Sequence, residues 1–268
     1  MARPNLSYLK SLFLFLFGLP TGVLTGLTAI GSSVVLVPGI RWLLGLRPAR
    51  AGATALAVTA FAALAGLLAY AQHGHVRGRL ALLLTLGQII GAGWGARLVA
   101  RAPGLARLHL LWVVLVLALG LALAAQGRGV LHGRPWLTPL PDASLWPAAL
   151  GTALLVGLVS RVVELGGVLL VPAEVDLLRL PPHLAQGTAL IVLLLAALPG
   201  MLIYARRGDL EPQATVWLSV GGVFGSLFGA MAAHVYFPND DTLLALFGLA
   251  LILIGVAMLW RRDAPPAA

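Results

Sequence analysis

At 268 residues, 60% of them hydrophobic and only 10% charged, the chain is far more apolar than a soluble domain, in which about 25% of residues carry charge. Its formal net charge of +9 is the arginine excess expected of cytoplasmic loops beside anionic headgroups. No basic run with interleaved aromatics occurs, which argues against a nucleic-acid partner. There is no cysteine, which excludes disulfides, thiolate metal sites and cysteine nucleophiles.

Several apolar runs reach the roughly 18 residues that span a bilayer core, so the chain is read as polytopic. Residues 1–10 read as a short basic tail carrying Arg3 and Lys10. Segment A covers about 11–30, B about 33–46, C about 51–72, D about 80–100 and E about 107–125. Residues 126–146 are the only long polar stretch, and their Pro and Gly content makes them a linker. A second series follows: A′ about 147–165, B′ about 167–178, C′ about 185–205, D′ about 214–235 and E′ about 242–260. A basic pair before an apolar run can mark a signal peptide. Residues 22–38 belong to a repeated unit, however, so this segment is expected to stay in the mature protein.

The second series repeats the first. At an offset of 134 residues Val35–Pro38 falls on Leu169–Pro172, Pro48 on Pro182, and Thr54-Ala55-Leu56 on Thr188-Ala189-Leu190. The same offset puts Tyr70 and Gly74 on Tyr204 and Gly208, and Gly87, Gly91 and Gly95 on Gly221, Gly225 and Gly229. A fixed offset over this length is the signature of an internal duplication. In each copy small residues interrupt an apolar run, Gly31-Ser32-Ser33 in one and Gly166-Gly167 in the other. Unwound backbone at membrane depth survives only where it is buried in protein or lines a wet cavity. Paired interruptions in two halves point to a transporter's binding site. The glycine stripes in D and D′ allow close helix approach, with a backbone-lined path as the alternative.

Arginine placement sets an orientation. With Arg41, Arg47, Arg50, Arg97, Arg101 and Arg107 cytoplasmic, the linker, the acidic B′–C′ loop (Glu174, Asp176) and the acidic D′–E′ loop (Asp240, Asp241) fall outside, and Arg206-Arg207 and Arg261-Arg262 fall inside. Arg77, Arg79, Arg128 and Arg134 run against this pattern. Each half is then an A–B hairpin plus three crossings, an odd total that inverts the second half. The expected architecture is an all-α polytopic membrane protein of two tandem inverted-topology repeats, each a broken-helix hairpin plus three transmembrane helices. Residues 1–126 form the first repeat, 127–146 an extracytoplasmic linker and 147–268 the second repeat. The expected location is the inner membrane, multi-pass, with both termini cytoplasmic.

A small-residue break closed by hydrophobic-Val-Pro, seen twice, resembles the sulfite exporter TauE/SafE family of anion permeases. The resemblance covers roughly residues 18–125 and 150–260 and includes the Pro48-to-Thr54 and Pro182-to-Thr188 segments and the turns Tyr70 to Gly74 and Tyr204 to Gly208. It implies movement of small sulfur-containing or organic anions, generally outward. The family's break typically reads Gly-x-Gly-Gly-Gly, whereas this chain has Ile30-Gly31-Ser32-Ser33 and Glu164-Leu165-Gly166-Gly167.

Arg161 and Glu164 are the charges placed deepest, at positions where the first copy has Leu27 and Ile30. Three apart on a helix they share a face and can pair, and charge at membrane depth marks function by default. Arg161 would offer its guanidinium to an anionic substrate, and Glu164 would carry the coupling proton. A neutralised structural pair is the alternative. The breaks themselves, Gly31, Ser32, Ser33, Gly166 and Gly167, offer backbone N–H groups and helix N-termini that favour anions. Thr54 and Thr188 add hydroxyls at the starts of C and C′, as substrate donors or as caps of those helices. Gln186 reads as an interhelical hydrogen-bonding residue. His73-Gly-His75, the only close His pair, reads as a solvated loop.

These residues support a secondary transporter, an exporter by resemblance, of small anions such as sulfite or sulfonates, working by alternating access about a midplane site at the two breaks. The lipid bilayer is its surrounding partner, and a proton or membrane potential its energy source, since no Gly-x-x-x-x-Gly-Lys-Ser/Thr motif is present. No cofactor or metal is expected. An intramembrane enzyme would need a nucleophile–base pair or metal ligands at depth, and none of the six His has a carboxylate at helical spacing in mid-span. A non-transporting structural or assembly membrane protein on the same fold is the alternative. The identity of the anion and any homo-oligomer stay open.

Overall fold

Apolar runs punctuated by Pro and Gly fold into α-helices throughout the computed structural model, which describes residues 4–101, 109–128, 141–163 and 166–260. The first half contains α1 (Pro4–Thr28), α2 (Ser33–Leu44), α3 (Pro48–Gln72), α4 (Gly78–Arg101) and α5 (His109–Gly127). The second contains α6 (Asp142–Val163), a 3-10 turn (Gly166–Leu169), α7 (Leu170–Asp176), α8 (Pro182–Arg206), α9 (Pro212–Val235) and α10 (Asp240–Trp260). Among the described residues, six helices are long and apolar enough to cross a membrane, over Tyr8–Thr28 and Pro48–Gln72, Gly78–Arg101 and Ser144–Arg161, Pro182–Arg206 and Pro212–Val235.

Residues 4–10 belong to α1 and are no tail, a correction with a simple cause. Pro4 suits a first helical turn, and nothing between it and the apolar run breaks a helix. Pro48, Pro182 and Pro212 start α3, α8 and α9 in the same way. Left-handed backbone recurs at the duplication offset, at Gly45 (φ 62°) and Arg179 (57°), and at Gly74 (72°) and Gly208 (69°). Glycine adopts this conformation without steric cost, so the αL turn after α2 is relaxed where its counterpart at Arg179 is strained.

The halves interlock rather than pack side by side. In α1 the glycines Gly18, Gly22 and Gly26 meet Leu218, Gly222 and Ser226 of α9, so those two helices run parallel. Equivalently, Gly87, Gly91 and Gly95 of α4 meet Leu150, Leu154 and Leu158 of α6. The approach is so close that a Cβ on Gly225 would lie 2.1 Å from the Leu19 carbonyl oxygen, and one on Gly91 2.1 Å from that of Leu154. Both glycine stripes are therefore helix–helix seams, and no backbone-lined path runs along them.

The duplicated helices themselves pair head to tail. Leu56 lies against Gly200 and Leu190 against Gly66, which makes α3 and α8 antiparallel. Gly120 against Gly248 and Gly127 against Asp241 do the same for α5 and α10.

Candidate functional site

The first break follows from a helix that runs out of hydrogen-bonding geometry. Ala29 closes α1 in the left-handed region at φ 52° while fully buried, a conformation that costs a non-glycine residue about 1 kcal/mol or more. Thr28 eases the ending. Its hydroxyl donates to the Leu24 carbonyl at 2.6 Å and accepts the Ile30 N–H at 3.3 Å. After Gly31, the Ser32 carbonyl accepts the first bonds of α2 from Val35 and Leu36.

Gly31 faces Leu193 and Thr59, each the twelfth residue of a helix of 25 residues. The break thus lies halfway along α3 and α8, against the place where they cross. Ser32 and Thr59, both buried, are joined at 2.8 Å between their hydroxyl oxygens. Thr59 donates its hydrogen to the Ala55 carbonyl at 2.8 Å, so Ser32 is the donor to Thr59. The two hydroxyls make a polar spot in an apolar crossing. Thr59 was missed in the sequence, where a single threonine in an alanine-rich helix carries no pattern.

The second break is a 3-10 turn beginning at Gly166 and Gly167, between α6 and α7. Arg161 lies in the last turn of α6 with its Cβ against Gly95 of α4 and its side chain exposed. Glu164 lies outside the described residues, so its pairing with Arg161 stays an expectation.

Thr54 and Thr188 do not cap their own helices, because each lies inside its helix. They fasten the neighbouring helix of the other half instead. Thr54 accepts the Glu211 N–H at the head of α9 (3.3 Å), and Thr188 accepts the Arg77 N–H at the head of α4 (3.2 Å). Arg77 and Glu211 are themselves related by the duplication offset, so one tether is built twice. Near the start of α3 opens a cavity of about 610 Å³ lined by Gly45, Leu46, Arg47, Ala49, Arg50 and Asp209.

The opposite end carries different chemistry. His73 and His75 lie in the turn after α3 as expected, His73 exposed and His75 half-buried, and there they also meet His183, His234 and Asp240, brought to the same end by α8, α9 and α10. His234 is 3.0 Å from His75 and stacks on His73 with ring centroids 3.9 Å apart. With Nδ1–H of His234 donating to the Ala230 carbonyl, its Nε2 accepts from Nδ1 of His75. His183 meets Asp240 at 2.7 Å. Burial, followed by the charge that His183 and His73 would carry, lowers the His75 pKa below its ordinary value. Beneath the cluster the buried Tyr70 hydroxyl donates to the Gln186 side-chain oxygen, bonding α3 to α8. No group of three or more side chains suited to a metal ion occurs among the described residues.

The expected acidic loop after B′ also needs correction at Glu174. It lies within α7 and is completely buried, its backbone oxygen accepting the Leu180 N–H. Neither of its carboxyl oxygens has a hydrogen-bond partner.

An all-helical chain with several apolar spans, its first helix broken halfway along a central crossed pair, has the architecture of a multi-pass membrane protein. Matching the sulfite exporter TauE/SafE family model over residues 2–123 and 149–268, the chain belongs to that family. It is 31% identical over 244 residues to a probable membrane transporter protein of Xylella fastidiosa (strain 9a5c), covering 90% of this chain and 91% of that one. It is 24% identical over 270 residues to the probable membrane transporter protein YunE of Bacillus subtilis (strain 168), covering 92% and 97%. No solved structure matches it. The protein is a membrane transporter.

Proposed function

We propose that it is a secondary transporter that exports small anions such as sulfite or sulfonates, by alternating access of two halves inverted across the inner membrane, with both termini cytoplasmic. In this arrangement residues 1–126 and 147–268 are the halves and 127–146 the external linker. The observation that carries the reading is the first break, seated halfway along an antiparallel pair of duplicated helices. Equivalent helices running in opposite directions are what inversion about an axis in the membrane plane requires. The swapped tethers of Thr54 and Thr188 support the same symmetry.

The substrate anion would be held at the breaks by Gly31, Ser32, Ser33, Gly166 and Gly167, where helix N-termini and hydroxyls favour negative charge, with Arg161 as its cation. Thr54 and Thr188 would hold the mobile elements in register. A proton gradient or the membrane potential would drive the cycle.

The test is uptake into proteoliposomes of sulfite, methanesulfonate, thiosulfate and acetate, with and without a pH gradient. Gradient-dependent accumulation of one of them supports the proposal, and its loss in Arg161→Leu assigns that residue to the path. No movement of any of them, in protein that is folded, contradicts it.

A further inference from the structure

We propose that Glu174 takes up and releases a proton in step with the opening and closing of the second half, and so supplies the proton coupling, resting on the transport function proposed above. That role was expected of Glu164 from the sequence.

Three observations carry it. First, Glu174 is 0% exposed and neither carboxyl oxygen has a hydrogen-bond partner. An ionised carboxylate in that position would be both desolvated and unpaired, which proteins avoid by keeping the group neutral or by moving it. Secondly, the first half places Ile40 at the equivalent position, 1% exposed and packed among Leu14, Leu36, Ala51 and Ala55. The fold therefore accepts a hydrocarbon here, and the carboxyl is not needed to build α7. Thirdly, Glu174 sits in the short helix that follows the second break, between that turn and α8. It can reach water only if this element moves.

Among the described residues none hydrogen-bonds its carboxyl group. α6 carries Asp142 and Arg161 at its two ends, and Arg161 is exposed. On α8 His183 is engaged with Asp240, while Tyr204 and Arg206 lie at the far end. The 3-10 turn has no titratable residue, and Asp176 at the end of α7 and Arg179 just after it each have an interaction of their own. Gln186 of α8 has its amide nitrogen buried without a partner, a second polar group near the start of that helix which the closed arrangement leaves unsatisfied. The consequence is a linkage. Protonated Glu174 is compatible with the closed packing, whereas ionised Glu174 favours whichever arrangement admits water to it.

Because the chain has no cysteine, a single thiol reports this motion without any substrate. Leu178→Cys, at a buried position four residues after Glu174, would be treated with a water-soluble maleimide across a pH series, alone and combined with Glu174→Gln. The expected result is a labelling rate that climbs with pH in the single variant beyond the rise due to thiol ionisation. In the Glu174→Gln background only the thiol's own pH dependence should remain. Glu174→Ile, which installs the first half's residue, should behave as Glu174→Gln does and guards against a folding defect in either one. Identical pH profiles with and without Glu174, or no labelling at any pH, overturn the proposal.

Flux separates the two ideas. In proteoliposomes loaded with sulfite, Glu174→Gln should lose gradient-driven accumulation and keep exchange at equal pH. Full gradient-driven accumulation in that variant overturns the inference but leaves the transporter proposal intact. Absence of all anion flux in the unaltered protein, with the labelling difference present, overturns the transporter proposal and leaves the proton-linked motion of Glu174 standing.

Discussion

The two ends of the crossed pair α3 and α8 are built on one frame and furnished differently. At one end Thr54 holds the head of α9 beside Arg47, Arg50 and Asp209; at the other Thr188 holds the head of α4 beside His75, His183 and Asp240. Duplication fixed the tethers, the tight turns and the glycine seams. Chemistry differs at positions the frame leaves free: Ala49 stands opposite His183, Gly52 opposite Gln186, His75 opposite Asp209, and Ile40 opposite Glu174. A protein whose halves exchange roles needs equal mechanics at both ends, but directional work needs the ends to be chemically unlike.

The largest effects should fall on the shared frame, and equally in both halves. Gly91→Ala and Gly225→Ala each force a Cβ into a neighbouring backbone, and overpacking costs about 1–3 kcal/mol, more where backbone has to give way. Thermal unfolding in detergent should show similar losses for the two, and a large loss in only one would break the equivalence of the seams. Next comes an effect confined to one end. Tyr70→Phe leaves the buried Gln186 oxygen without its donor, at about 1–3 kcal/mol, whereas Tyr204→Phe, opposite Gly52, should cost nothing measurable by the same assay.

The tethers should be weaker and matched. Thr54→Val and Thr188→Val each remove one acceptor for a helix-head N–H, worth about 1 kcal/mol. Hydrogen exchange at Glu211 and at Arg77 should speed up in the respective variants and not in the other. The smallest effect is set by pH at the histidine end. The folded value of His75 lies below its unfolded one, so the stability it contributes is present above the ordinary histidine pKa and is lost as pH falls through the lowered folded value. Acidification should therefore lower protection, measured against the intrinsic exchange rate at each pH, in the 73–77 turn while leaving that of the equivalent 207–211 turn unchanged. Equal responses of the two turns would contradict the assigned cause.

Much of the frame was legible because it is written in punctuation. Pro48, Pro182, Gly74 and Gly208 mark turns by local backbone physics, and the glycine stripes mark seams by their spacing, so the duplication could be traced without coordinates. The first break was legible for the same reason, since Gly31-Ser32-Ser33 interrupts an apolar run. What escaped was every relation between distant residues. Thr59 meets Ser32, and His75 meets His183, His234 and Asp240, only after α3, α8, α9 and α10 converge. Glu174 looked like part of an acidic loop because its charge outweighed the helical apolar residues on either side. Its burial comes from tertiary packing, which overrides that local signal.

The most direct test of the central claim, that the break is an anion site reached alternately from the two sides, uses a single thiol at the half-buried Ser33 of this cysteine-free chain. Ser33→Cys in oriented membrane vesicles would be exposed to a membrane-impermeant thiol reagent from one face or the other, with and without sulfite. The account predicts modification from both faces and protection by sulfite. Modification from one face only, unaffected by sulfite or any other anion of the panel, would contradict it.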